Sequence, residues 1–138
     1  MNFDKNSSEI ENELKKLGYW NNLYTKNDYF GIGQTILANF AKDIIEKNSI
    51  KNMLELGCGQ GRDSVFFAKL GCNIVAVDIS ENAIKFVERT KNDENLKNLQ
   101  LVISDIQKPL NFQNLKFDLV YSNLSLQFFD LSKLSNIF

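Results

Sequence analysis

The chain has 138 residues, 43% hydrophobic and 24% charged, a length and composition that suit one soluble domain with one core. A net charge of −1 implies no basic face for nucleic acid, and two cysteines without a C-x-x-C and no histidine argue against a zinc site. No basic segment followed by an apolar run marks a secretory signal and no apolar run nears the ~20 residues that span a bilayer, so a reducing cytoplasm is expected, with Cys58 and Cys72 as small reduced residues.

Ser8-Glu9-Ile10-Glu11 has the form of a capping box, and Ile10, Leu14 and Leu17 follow at helical spacing, which predicts a short amphipathic helix ending at Gly18. Tyr19 to Tyr24 is aromatic without a clear period, and Gly31 and Gly33 break the chain. A second helix is predicted from about Gln34 to Lys47, burying Ile36, Leu37, Phe40, Ile44 and Ile45 and ended by Asn48 and Ser49. From there apolar strands alternate with helical segments. Strands are predicted at 52–56, 73–77, 99–103 and 117–121. Between them come a helix over 62–70 with Val65, Phe66 and Ala68, stopped by Gly71, and a helix capped by Ser80 that runs to Lys91 with Ala83, Ile84 and Val87 inward. Pro109 lies in the connection to the fourth strand, and Asp130 caps a last helix carrying Leu131, Leu134, Ile137 and Phe138. Such alternation signals an α/β fold with a parallel sheet. Two parts are expected: an N-terminal helical segment over residues 1–50 and a sheet domain over 51–138.

The chemistry concentrates in Leu54-Glu55-Leu56-Gly57-Cys58-Gly59-Gln60-Gly61-Arg62-Asp63 and in Val75-Ala76-Val77-Asp78, where Asp78 falls 21 positions after the first glycine. Glycines after an apolar run let the backbone turn sharply and let a ligand approach where a Cβ would stand. An acid about 20 positions on can hold a ribose diol, which argues for a cofactor containing adenosine. Dinucleotide sites read G-x-G-x-x-G, but here the pattern is G-x-G-x-G with Arg62 where their third glycine would fall.

The E-x-G-x-G-x-G block resembles the first motif of class I S-adenosylmethionine-dependent methyltransferases. Asp78, in Val77-Asp78-Ile79-Ser80, resembles their ribose acid. Ser104-Asp105-Ile106 resembles their adenine segment, and Phe117-Asp118-Leu119-Val120-Tyr121-Ser122-Asn123-Leu124 their fourth-strand motif. The resemblance covers about residues 50–130. It implies a Rossmann-like sheet in the order 3-2-1-4 with helices on both faces, and S-adenosylmethionine as cofactor. It further implies that Glu55 organises the loop and the donor's amino group, that Gly57, Cys58, Gly59 and Gly61 form the cradle, and that Asp78 holds the ribose. Ile79 would pack on the adenine, Asp105 would accept from its amino group, the backbone at Ile106 would meet its edge, and Asn123 would stand beside the methyl donor. Each has a plainer alternative: Asp78 and Asp63 as helix-dipole acids, Asp105 as an ordinary loop acid, and the glycines as a tight turn. Tyr121, Phe128 and Phe129 could face a sulfonium or simply pack in the core. Trp20 and Tyr24 could form a lid or a packing layer.

The implied function is methyl transfer by in-line displacement to an acceptor that is a small molecule, since the segment after strand four lacks the Asn-Pro-Pro-aromatic signature of methyltransferases acting on bases or glutamine. No catalytic base and no metal ligand is identified. The alternatives are a non-catalytic adenosine-binding or assembly module and an NAD(P)-dependent oxidoreductase domain. Family members have seven strands in the order 3-2-1-4-5-7-6, whereas four are read here. The chain is therefore expected to be either the N-terminal piece of a longer protein or a half-domain that forms a homodimer through the strand-four edge.

Overall fold

The computed structural model describes residues 7–137. Four strands, β1 (Asn52–Leu56), β2 (Asn73–Asp78), β3 (Leu99–Ile103) and β4 (Leu119–Tyr121), form one parallel sheet in the order β3-β2-β1-β4. The two central strands read as near-continuous apolar runs because both of their faces are covered. The order is the one expected.

The fourth strand is shorter than the 117–121 predicted. Asp118 stands just before it and closes the start of β1: its Oδ2 accepts from the backbone N–H groups of Lys51 (3.0 Å) and Asn52 (2.9 Å), and its own N–H donates to the carbonyl of Asn52 (2.8 Å). Those bonds hold its carboxyl below the usual carboxylate range.

Helices α1 (Ser7–Leu23), α2 (Ile36–Asn48), α3 (Arg62–Lys69), α4 (Glu81–Asp93) and α5 (Leu131–Ile137) surround the sheet, with a 3-10 turn at Leu126–Phe128. On one face Ala38, Ala41 and Ile45 of α2, Phe67 and Ala68 of α3 and Ile84 and Val87 of α4 pack with Met53, Ile74 and Ala76 of the sheet. On the other, Leu54, Leu56, Val75 and Val77 meet Ile106, Leu110, Phe112 and Phe117 of the β3–β4 connection, Leu126 of the 3-10 turn, and Phe129.

Capping chemistry sets the helix starts. Thr35 Oγ1 accepts from Ala38 N (3.2 Å), so α2 begins after Thr35 and not at Gln34. Ser80 Oγ accepts from Ala83 N (3.2 Å), as predicted for α4, and Asp130 Oδ1 accepts from Lys133 N (2.9 Å) before α5. Of the apolar residues predicted for α5, the side chains of Leu131 and Ile137 and the whole of Phe138 lie outside the described residues.

Two expectations about the N-terminal helices are corrected. The first helix passes through Gly18 and ends at Leu23, Ser8 lies inside it, and Ile10 and Leu14 are exposed. Its C-terminal half is tied down by Asn21, whose Oδ1 accepts from Ser80 Oγ (2.8 Å) and whose carbonyl accepts from Asn82 Nδ2 (2.8 Å). Such anchoring outweighs the ~1 kcal/mol that glycine costs in a helix. In α2 only Ile45 of the five predicted core residues is buried, while Ile36, Leu37, Phe40 and Ile44 are exposed. The helix instead turns Ala38 and Ala41 inward, small residues that let it approach α3 closely.

Candidate functional site

The carboxyl ends of β1, β2 and β3 and the loop after β4 open into one cavity of about 350 Å³. In open parallel sheets this is where ligands bind. Glu55, Gly57, Cys58, Gly59, Asp78, Ile79, Asp105, Ile106 and Asn123 all line it. Gly61 alone among the expected site residues does not: it sits at φ +75°, and a Cβ there would meet Val87 Cγ1 and Cγ2 at 2.8 Å, so it serves the packing of α3 on α4.

The glycine loop is held from below. Asp78 Oδ2 accepts from Gly59 N (2.8 Å) and Oδ1 from Ser80 N (2.9 Å), so one carboxylate fixes both the loop after β1 and the turn after β2. Burial raises the Asp78 carboxyl above its ordinary range, and the amide N–H groups of Ser80, Gly59 and Ile79 work against that rise. Gly57 and Gly59 also have positive φ, 73° and 54°. A Cβ at Gly59 would lie 2.7 Å from the Tyr24 hydroxyl, and one at Gly57 would collide with the Ser125 side chain. Both positions must be glycine for the loop to turn and for α1 and the β4 loop to close over it.

Glu55, next to last in β1, is almost wholly buried and accepts from Ser64 Oγ. Desolvation pushes its carboxyl up to about 8, against the Ser64 bond. Cys58 is a buried free thiol, driven upward by burial and then by the Asp78 and Glu55 charges. It is a poor nucleophile in that state.

Asp105 sits at the far end beyond β3. Its Oδ1 accepts from Gln107 N (3.0 Å) and faces Lys16 Nζ at 3.7 Å. Lys16 also lies 4.9 Å from the centre of the Phe129 ring. The outer wall is aromatic: Trp20 stacks near Tyr24 (6.3 Å between centroids) and meets Phe128 edge-on (5.1 Å), and Phe30 meets Tyr24 (6.0 Å). Burial raises the Tyr24 phenol, followed by the Asp78 charge. Of the two readings of Tyr121, core packing is the one found: it packs edge-on against Phe67 (4.8 Å) with its hydroxyl on Asp63.

Sequence reasoning gave no cavity role to Lys16, Phe30, Thr35, Gln60, Arg62, Ser125 and Gln127, which also line it. Gln60 had a visible place inside the glycine block, and its side chain bonds Tyr29 N (2.7 Å) and the Lys26 carbonyl (2.7 Å) to hold the N-terminal segment over the site. Among the described residues no group of His, Cys, Asp and Glu could hold a metal ion.

The profile of the family described as "Tellurite resistance protein TehB" matches residues 21–138. The chain is 32% identical over 114 residues to the "Probable S-adenosyl-L-methionine-dependent methyltransferase TehB" of Haemophilus influenzae (strain 10810), a match covering 81% of this chain and 39% of that protein. The solved structure of TehB from Haemophilus influenzae superposes with a TM-score of 0.61 at 27% identity, over 88% of this chain and 39% of that one. An S-adenosylmethionine-dependent methyltransferase from Clostridium acetobutylicum superposes with a TM-score of 0.67 at 24% identity, over 93% and 50% of the two chains, and shares the fold. The chain thus spans about two fifths of the length of the TehB proteins it matches. With the motif order, the sheet order and the family profile in agreement, this chain belongs to the TehB family of class I S-adenosylmethionine-dependent methyltransferases.

Proposed function

We propose that the chain binds S-adenosylmethionine in the cavity above Gly57–Gly61 and is the cofactor-binding part of a methyltransferase acting on a small-molecule acceptor in the cytoplasm. The observation that carries this reading is the convergence on one cavity of a glycine cradle and of acidic side chains placed along its length: Glu55 near the end of β1, Asp78 at the end of β2 and Asp105 after β3. The pieces fit that cofactor. Asp78 has a carboxylate for a ribose diol, Ile79 and Ile106 offer apolar faces for a purine, and the aromatic wall suits a sulfonium. When bound, the cofactor supplies the activated methyl group. The chain's own residues bind it, orient it and, through Trp20, Tyr24 and Phe128, keep water from it. In addition, we infer a homodimer contact on the β4 side, where the edge of the sheet and the apolar outer face of α2 lie open.

Among the described residues no helix is long and apolar enough to cross a membrane. The direct experiment is titration calorimetry of this chain with S-adenosylmethionine, S-adenosylhomocysteine and NAD. Heat of binding with the two methionine derivatives and none with NAD is expected. Binding of NAD alone would transfer the chain to the oxidoreductase reading.

A further inference from the structure

Asp63 opens α3 and is 4% exposed. Its Oδ1 accepts from the backbone N–H of Thr35 (2.8 Å). Its Oδ2 accepts from Thr35 Oγ1 (2.8 Å) and the Tyr121 hydroxyl (2.6 Å), with Asn123 Nδ2 at 3.4 Å. These donors come from the start of α2, the end of β4 and the loop after β4. One carboxylate therefore joins three segments that are far apart in the chain. Its being a helix-dipole acid accounts for none of them.

The donor and acceptor count around it fixes a further group. A threonine hydroxyl has one proton, and here it goes to Asp63. Thr35 Oγ1 is left to accept, and it does so from Ala38 N (3.2 Å) and Asn123 Nδ2 (3.0 Å). Asn123 thus meets two acceptors, the Asp63 carboxylate and the Thr35 oxygen, so its amide must present nitrogen to both. The flipped amide would set its carbonyl against a carboxylate. Asn123 lines the cavity, and with its nitrogen held its carbonyl Oδ1 is turned away from Asp63. Asn123 follows β4, and Asp105 follows β3 at the opposite edge of the sheet, so Asn123 serves the end of the cavity farthest from Asp105.

We propose that Asp63 is a positioning residue: through Thr35 it locks the Asn123 amide so that its carbonyl is offered to the cavity as an acceptor for an N–H donor on the ligand. Resting on the cofactor reading, that donor is the ammonium group of the cofactor's amino-acid end. The role of Asp63 itself does not depend on that identity.

The test uses the whole chain with Asp63→Asn, Asp63→Ala, Asn123→Ala and the double variant Asp63→Asn/Asn123→Ala. The side-chain amide resonances of Asn123 in a ¹⁵N-correlated spectrum, assigned by their loss in Asn123→Ala, are read first. In the parent they should be displaced from the free-amide position, and Asp63→Asn or Asp63→Ala should return them towards it. Affinities for S-adenosylhomocysteine and for 5′-methylthioadenosine, which lacks the amino-acid end, are read second. Asp63→Asn should weaken the former by about tenfold and the latter by less than about twofold, and the double variant should be no worse than Asn123→Ala alone. Unchanged Asn123 resonances, equal losses for the two ligands, or losses that add in the double variant would each overturn the proposal. If the parent binds neither nucleoside, the cofactor reading fails, and the spectra still decide whether Asp63 holds the amide.

Discussion

Asp78, proposed above for the ribose, has a second task that the structure shows directly. The Val77-Asp78-Ile79-Ser80 block pointed to a ribose acid, and the structure adds that both carboxylate oxygens already bind backbone N–H groups of the loops that form the cavity. Asp105 has a smaller role, since it holds its own turn and faces Lys16. Asp78→Ala is therefore expected to cost more affinity for S-adenosylhomocysteine than Asp105→Ala, by at least about tenfold, because hydrogen bonds to a charged group contribute ~1.5–3 kcal/mol each. Calorimetry on the two variants checks the order, and equal losses would remove Asp78 from the ribose. Glu55 supplies a pH dependence. Its carboxyl is raised in the folded chain from 4.5 to about 8 by burial, so the folded state keeps a proton that the unfolded state gives up. That contribution to stability is fully present below about pH 4.5 and is lost as pH rises to about 8. Glu55→Gln lacks this loss. Its melting temperature relative to the parent should climb from pH 5 to about pH 8 and level off above it, and a gap constant with pH would mean that Glu55 is ionised throughout.

At the scale of elements, what could be read depended on how local the determining contacts are. The strands β1, β2 and β3, the Ser80 cap and the stop at Gly71 follow from neighbours a few residues away, and they were found where expected. The course of α1 past Gly18 was not legible, because what holds its end is Asn21 on Ser80 and Asn82, about sixty residues on. The inward face of α2 was misread for a related reason. Helical spacing points to the large apolar residues as its core, but close approach to α3 selects Ala38 and Ala41. The Asp63 hub joins residues 28, 58 and 60 positions apart, a pairing no local pattern announces. Gly61 looked like part of the ligand cradle and is a packing residue between α3 and α4. Gly61→Ala should lose about 2–5 kcal/mol of stability, from ~1–2 kcal/mol for a left-handed backbone carrying a Cβ together with ~1–3 kcal/mol for overpacking against Val87. Urea unfolding measures it, and Val87→Ala in the same chain should restore part of the loss. A neutral outcome would show that α3 and α4 separate freely.

At the scale of the whole chain the decisive feature is the β4 side of the sheet. Among the described residues β4 pairs with β1 alone, and Val120 at its centre is half exposed. The start of α2 meets the end of β4 at Thr35 and Tyr121, and its outward face carries Ile36, Leu37, Phe40 and Ile44, all exposed, with Ile32 just before it. An open strand edge beside a run of exposed large apolar residues is a surface that favours association. A second copy of the chain seated there would cover both features at once. Light scattering across a concentration series is expected to show a dimer, and Ile36→Ser/Phe40→Ser is expected to shift it to monomer. Since both side chains are exposed, that double variant should change folding stability by no more than about 1 kcal/mol. It should also leave affinity for S-adenosylhomocysteine intact, because neither residue lines the cavity. A parent chain that stays monomeric at every concentration would show that this face is not taken by a second copy, while a variant that loses the cofactor together with the dimer would show that the partner copy helps to build the site.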